Sequence, residues 1–136
     1  MFSIGELSRR TGVKVPTIRY YEQMGLIAAP ERSEGNQRRY SSEELKRLSF
    51  IRHSRELGFS IDDIRGLLDL SQHPEHPCDD AHELAARRLA DVRARIARLK
   101  RLERELKRIS DCDAETVAHC AVIETLADHS LCDTDH

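Results

Sequence analysis

The sequence has 136 residues, of which 34% are charged and 39% hydrophobic, and these values suit one small, soluble, helical domain with an extension. It lacks a run of about 18 apolar residues, and its first residues lack the charged-then-apolar order of a signal peptide. We therefore expect a cytoplasmic protein without a membrane partner. In that reducing compartment, cysteines serve as ligands, redox groups or core residues more often than as structural disulfides.

The net charge of -2 is unevenly distributed along the chain. Residues 1–59 carry 11 Lys and Arg against 7 Asp and Glu, a basic balance. The residues after Ser110 contain several Asp and Glu but neither Lys nor Arg. An anionic partner is therefore expected to dock on the N-terminal part of the chain.

Two short helices are predicted at the start of the chain. Ser3 followed by Glu6 is a capping box that opens the first helix, and Gly12 ends it. Pro16 suits the first turn of the second helix, which Gly25 ends. Two short helices joined by a glycine-containing turn form a helix-turn-helix.

A basic hairpin and two further helices are predicted next. Residues 26–40 combine turn-forming residues with several arginines, which indicates a hairpin or wing. Ser41 and Ser42 open a third helix that ends near Gly58, and Ser60 caps a fourth helix that extends to Leu70. A loop over 71–77 then separates this head from the remainder of the chain.

One long helix is predicted from Asp79 to Ser110, since this stretch contains neither Gly nor Pro. Its apolar residues recur at steps of three and four, as in a coiled-coil seam: Ala85, Leu89, Val92, Ile96, Leu99, Leu102, Leu106 and Ile109. A lone helix would expose this seam to water, and the residues after Ser110 are too few to return along it. The pattern therefore favours a homodimer, although periodicity alone does not fix the direction of the second helix.

Cys78 and Cys112 lie at opposite ends of this helix. At about 1.5 Å per residue, the helix separates them by roughly 48 Å, far more than one metal site or one disulfide can span. Only a second chain that runs antiparallel can bring Cys78 of one subunit next to Cys112 of the other.

Several short motifs give the chain its family resemblance. The sequence resembles the MerR family of transcriptional regulators in the motifs Thr17-Ile18-Arg19-Tyr20-Tyr21-Glu22, Gly25-Leu26, Arg38-Arg39-Tyr40, Phe50-Ile51-Arg52 and Leu57-Gly58-Phe59-Ser60, followed by Ile61 and Ile64. The resemblance covers nearly the whole chain, including the long helix that ends at a cysteine-flanked loop.

This resemblance implies a mainly α fold, with a winged helix-turn-helix head, a long antiparallel coiled-coil dimerisation helix and a short C-terminal metal-binding loop with a small helix. We expect a DNA-binding domain over 1–70, a linker over 71–78, the dimerisation helix over 79–110 and the effector-binding loop, short helix and tail over 111–136. The antiparallel direction is inherited from the family.

The expected DNA contacts lie mainly on the second helix, whose side chains would reach bases and phosphates from the major groove. Arginines can also clamp phosphate oxygens through paired donors. We expect contacts to double-stranded promoter DNA from Lys14, Thr17, Arg19, Tyr20, Arg38, Arg39 and Arg52, and we assign Tyr21 mainly to packing.

The expected metal site is built from cysteines. Cys112 and Cys120 flank a seven-residue loop that is long enough to bring both sulfurs to one ion, and antiparallel pairing would add Cys78 of the partner subunit. Three thiolates suit a divalent soft ion such as Zn, Cd, Pb or Hg. Relatives that sense monovalent copper-type ions resemble this loop but have Ser at the position of Cys78, which favours the divalent group.

Four further residues are weaker candidates for metal ligation. His119 could complete a tetrahedral site, although a His next to a ligand is more often an outer-shell or exposed group. The tail spacing of His129, Cys132 and His136 could hold a second ion, but a solvated tail is the alternative.

The resemblance implies that promoter activation with RNA polymerase switches on a metal efflux or resistance gene. A thiol-redox-responsive regulator, in which Cys112 and Cys120 oxidise, and a Cu(I)-responsive regulator stay open as alternatives. We do not expect an enzyme, because the sequence has no Gly-rich phosphate loop, Gly-x-Ser-x-Gly elbow or His-Glu-x-x-His pair.

Overall fold

The protein is mainly helical in a computed structural model that describes residues 1–28, 30–32 and 38–132. Two compact units divide the chain, Met1–Leu84 and Ala85–His136. The described residues form six α-helices: α1 Ile4–Thr11, α2 Val15–Gln23, α3 Ser42–Glu56, α4 Ile61–Ser71, α5 Asp79–Ser110 and α6 Ala121–Ala127. Two short strands, β1 Glu31–Arg32 and β2 Arg38–Arg39, lie between α2 and α3, and 3-10 turns cover Val117–His119 and His129–Leu131.

The helix-turn-helix predicted from the sequence is confirmed. The Ser3 hydroxyl accepts a hydrogen bond from the Glu6 N–H at 3.2 Å and caps α1. Gly12 ends α1 with a φ of 75°, a left-handed conformation that glycine adopts without steric cost. Pro16 lies in the first turn of α2. An N–H in that turn has no acceptor within the helix, so the missing N–H of proline costs no hydrogen bond.

The predicted wing is a two-stranded antiparallel hairpin. Glu31 lies opposite Arg39 and Arg32 lies opposite Arg38. The hairpin joins the start of the chain, because Phe2 and Tyr40 exchange backbone hydrogen bonds of 2.7 and 2.8 Å. Residues 33–37, which connect the strands, lie outside the described residues.

A single apolar core packs α1 to α4 of the first unit together. Its fully buried side chains each stabilise the fold by roughly 1.5–3 kcal/mol, and they are Leu7, Ile18, Leu26, Tyr40, Leu48, Ile51 and Ile64. Ile18 and Tyr21 are the residues through which α2 contacts this core. The opposite side of α2 is therefore left facing outward.

The second unit packs α6 and the tail against the end of α5. Ile109, Thr125 and the Glu105 carboxylate are buried there. Arg108 donates one hydrogen bond to Glu105 at 3.0 Å and another to the Leu131 carbonyl at 2.9 Å. This contact fastens the tail to the long helix.

The apolar seam of α5 is largely uncovered within one chain. Leu89, Ile96, Leu99 and Leu106 are 48%, 46%, 63% and 62% exposed.

Among the described residues, no helix combines the length and the apolar character that are needed to cross a membrane.

Candidate functional site

The α2 helix presents four of the seven expected DNA contacts on or beside its outer side. Lys14 is the exposed N-cap residue, Thr17 is half-buried, and Arg19 and Tyr20 are exposed. Tyr21, the next residue, is only 7% exposed and belongs to the core. The helical period thus separates the expected packing residue from the residues expected to contact DNA.

The wing carries the next two expected contacts. Arg38 and Arg39 form β2, where they pair with Arg32 and Glu31. The Arg39 side chain is half-buried, and the Arg38 side chain lies outside the described residues. Their contact with phosphate stays a prediction.

Arg52 has intramolecular partners that sequence patterns did not reveal. Its guanidinium donates to the Thr11 carbonyl at the end of α1 and, through Nε, to Glu56 at 3.0 Å. It also borders a shallow depression together with Lys14 and Thr17. Arg52 therefore ties α3 to α1 next to the predicted DNA-binding residues, and its contact with phosphate stays a prediction.

The loop after α5 brings Cys112 and Cys120 together. The Cys112 sulfur accepts a hydrogen bond from the Ala121 N–H at 3.2 Å, so the chain doubles back onto the end of α5. This bond is the largest cause of the lowered pKa of Cys112, and hydrogen bonds from the Ala114 N–H and the Cys120 side chain lower it further. Desolvation and the negative charge of Asp113 raise the pKa, but the net effect is a lowering. The thiolate is the form of cysteine that binds soft metal ions, so this pair fits the predicted ligands.

Cys78 lies in the other compact unit, immediately before α5. It is exposed and unbridged, and it borders an apolar cavity with His73, His76 and Phe50. Among the described ranges 1–28, 30–32 and 38–132, no group of three or more His, Cys, Asp or Glu side chains is placed to hold a metal ion.

The weaker candidates take separate positions. His119 lies in the 3-10 turn, and its backbone carbonyl accepts a hydrogen bond from the Cys112 thiol at 4.0 Å. His129 and Cys132 border one cavity with Glu105 at the end of α5. His136 lies outside the described residues. Ligation by these residues stays a prediction.

Comparison with known proteins agrees with this geometry. Residues 2–71 match the family described as MerR HTH family regulatory protein, and residues 45–109 match the family described as MerR, DNA binding. The chain is 41% identical over 130 residues to the HTH-type transcriptional regulator ZntR of Escherichia coli (strain K12), covering 93% of this chain and 92% of ZntR. It is 40% identical over 127 residues to the mercuric resistance operon regulatory protein of Bacillus cereus, covering 92% and 96% of the two chains.

The fold also matches a solved relative. The crystal structure of the transcription regulator PbrR691 from Ralstonia metallidurans CH34 in complex with lead(II) superposes with a TM-score of 0.78. The two chains are 41% identical, and the match covers 93% of this chain and 99% of the other. The chain therefore belongs to the MerR family of helix-turn-helix regulatory proteins and is a DNA-binding transcriptional regulator rather than an enzyme.

Proposed function

We propose that the protein is a metal-responsive regulator that activates a heavy-metal efflux or resistance gene when a divalent thiophilic ion binds its cysteines. The paired sulfurs of Cys112 and Cys120 carry this proposal, because the hydrogen bonds around Cys112 favour its thiolate before any ion arrives. It is supported by the relative named as the mercuric resistance operon regulatory protein and by the solved transcription regulator in complex with lead(II). The ion is Zn, Cd, Pb or Hg, each of which accepts thiolate ligands.

The third ligand is Cys78 of the partner subunit in an antiparallel homodimer. Cys78 and Cys112 stand at the two ends of the 32-residue α5, so one chain cannot bring them together through that helix. The exposed seam of α5 supports pairing with a second copy, because burial of its leucines and isoleucine would stabilise the dimer.

The dimer would bind double-stranded promoter DNA in the cytoplasm and act together with RNA polymerase. The outer side of α2 supplies Arg19 and Tyr20, and the wing supplies Arg39. Occupancy of the cysteine site can change transcription only if the ion binds one arrangement of the dimer more tightly than another. The metal-bound cysteines would thus stabilise the arrangement of the two DNA-binding domains that suits the activated promoter.

Replacement of Cys112 tests this function. In Cys112→Ser, we expect metal-induced transcription to be lost while promoter affinity stays near that of the wild type, because the thiolate is removed far from α2 in sequence. Ser110→Ala is the matched control, since it changes a neighbouring exposed side chain that holds no sulfur. The measurement is competitive titration with Zn, Cd, Pb and Hg, followed by thiolate-metal absorbance and by transcription in the same samples.

Joint loss of promoter binding and metal response in Cys112→Ser would contradict the proposal and would indicate a structural cysteine. The same titration with Cu(I) tests the monovalent alternative, in which Cu(I) rather than a divalent ion would raise transcription.

A thiol-redox regulator is the second candidate, favoured by the hydrogen bond between the Cys112 and Cys120 side chains. In that case a peroxide would accept two electrons and two protons from the two thiols as the S–S bond forms. Peroxide would then raise transcription in metal-free samples and metal would not. The opposite result rejects this candidate.

A further inference from the structure

We propose that Arg65 is a positioning residue that couples the Cys78 linker to the DNA-reading helix α2. The inference rests on the proposed metal response. It adds the contact through which a displacement of Cys78 would change the position of α2. Arg65 lies on α4, the helix that runs directly into the linker.

The contact joins two helix ends that are far apart in sequence. Arg65 Nη2 donates to the carbonyl of Met24 at 2.9 Å. Met24 is the C-cap residue of α2, whose last carbonyls have no partner within the helix. Gly25 follows with a φ of 74°, and a Cβ there would lie 3.7 Å from Arg65 Nη1. The guanidinium therefore holds the point at which the chain leaves the DNA-reading helix.

The rotation and position of α4 are fixed by burial on both sides of Arg65. Ile64 is fully buried and Leu68 is 3% exposed in the core of the first unit. Arg65 is half-buried, so its charge-assisted hydrogen bond to Met24 is partly shielded from water. A displacement of α4 would thus lengthen or break the bond to Met24.

Backbone hydrogen bonds connect α4 to the linker towards Cys78. The Gln72 N–H donates to Asp69 at 3.1 Å, and the His73 N–H donates to Leu70 at 3.0 Å. The His76 N–H then donates to His73 at 2.8 Å. These short-range bonds order the linker as far as His76, two residues before Cys78, so a displacement of Cys78 would be passed to the last turn of α4 through a short segment.

Arg47 offers a matched control. It donates through Nε to the Leu26 carbonyl. It therefore fixes the segment that follows α2 through the same kind of arginine-to-carbonyl hydrogen bond as Arg65. It lies on α3, however, which continues into α4 and not into the linker. Both arginines should support the DNA-binding shape of α2, but only Arg65 lies on the helix that leads to Cys78.

The test compares Arg65→Met with Arg47→Met in the full-length protein. Promoter affinity and transcription are measured with and without Zn(II), or with whichever of Cd(II), Pb(II) and Hg(II) induces the wild type. We expect Arg65→Met to reduce the ratio of metal-induced to basal transcription by roughly fivefold, the lower end of usual couplings between sites. Arg47→Met should lower promoter affinity by the same factor in both states and keep the ratio.

Linkage supplies a second readout that a merely structural arginine would not change. Metal affinity should differ between free and promoter-bound wild type, and this difference should shrink in Arg65→Met. Arg65→Lys, which keeps a cationic donor, should recover part of the ratio. If Arg65→Met does not fold, the comparison of Arg65→Lys with Arg47→Lys decides, and a lowered ratio is expected in the Arg65 variant alone.

An unchanged ratio in a folded Arg65 variant, or an equal fall in the Arg47 variant, would overturn the inference. A wild type without any metal response would instead reject the proposed function itself. The two failures are therefore distinguishable in one set of measurements.

Discussion

At the scale of single residues, Cys112 is a side chain whose ionisation depends on the surrounding loop. Two backbone N–H groups and the Cys120 side chain donate to its sulfur, and their combined effect lowers its pKa. The two N–H groups belong to Ala114, inside the loop, and to Ala121, the first residue of α6. The loop conformation thus prepares a thiolate as well as bringing two sulfurs together.

Arg19 is the residue on which we expect promoter affinity to depend most. It is exposed on α2, next to the half-exposed Tyr20 and one position from fully buried Ile18. Arg19→Ala should weaken promoter binding by about 1–3 kcal/mol because a base or phosphate loses its cationic partner. Binding isotherms at several salt concentrations measure this loss.

The control for Arg19 is Arg93→Ala, which removes the same charge from an exposed position on α5 in the other compact unit. The number of metal ions bound per chain should stay unchanged in both variants. Equal losses of promoter affinity in the two variants would indicate a general charge effect and would contradict a specific role for Arg19.

The sequence predicts the orientation of α2 well but not the bonds of the arginines. Exposure of Arg19 and burial of Tyr21 follow from the helical period, which is a local property. The bonds from Arg52 to Thr11 and from Arg65 to Met24 each join residues 41 positions apart. Such partners depend on the packing of whole helices, which no local pattern encodes.

At the level of elements, the ends of the helices are set by side chains that the sequence shows plainly. Ser41, which the sequence predicts to open α3, forms a capping box with Glu44, and the hydrogen bond from the Ser41 side chain lowers the pKa of Glu44. The Ser60 hydroxyl accepts from the Asp63 N–H at 3.1 Å and caps α4. Because caps act within one turn, sequence spacing is sufficient to predict them.

Gly12 gives an element-scale prediction for the turn between α1 and α2. Gly12→Ala should lower the free energy of unfolding by roughly 1–2 kcal/mol, because φ is 75° there and an L-residue is strained in that region. The new Cβ would also run into the Arg52 guanidinium and displace it from Thr11. Urea unfolding followed by circular dichroism measures the change.

Gly66→Ala is the matched control for the turn. Gly66 lies inside α4, and a Cβ there meets no atom within 4 Å. This change should stabilise the protein by up to about 1 kcal/mol, because Ala loses less conformational entropy than Gly in a helix. A stabilised Gly12→Ala would show that the turn tolerates a side chain.

The end of α5 is the element that the sequence predicts least completely. Its last residue, Ser110, and the short helix over Ala121–Ala127 agree with expectation. The apolar stripe indicates a seam but does not reveal that Glu105 is only 6% exposed and paired with Arg108. That burial arises because α6 and the tail fold back, an event that depends on contacts across more than 20 residues.

For the molecule as a whole, the uncovered stripe of α5 is the feature that points beyond one chain. Large apolar side chains at Leu89, Ile96, Leu99 and Leu106 are about half exposed or more. They are 7, 3 and 7 positions apart, which places them on one side of the helix, as in the seam of paired helices. A second copy is the partner that we also propose for the cysteine site.

Leu99→Asp should shift the proposed homodimer towards monomers. Leu99 is 63% exposed in one chain, and a carboxylate in a paired seam would lose its hydration. Leu57→Asp is the control, because Leu57 is 66% exposed but lies at the end of α3 in the first unit. Sedimentation velocity over a range of concentrations measures the mass of each variant, and a wild-type mass for Leu99→Asp would contradict the seam.

The exposed stripe on α5 has a consequence for how much of the protein a cell must hold. If a second chain covers the stripe, each subunit is protected only while it is paired, so thermal stability rises with protein concentration. A scarce regulator would spend part of its time as single chains, open to proteolysis and chaperone capture. Abundance, folding and turnover would then be controlled by the same four side chains.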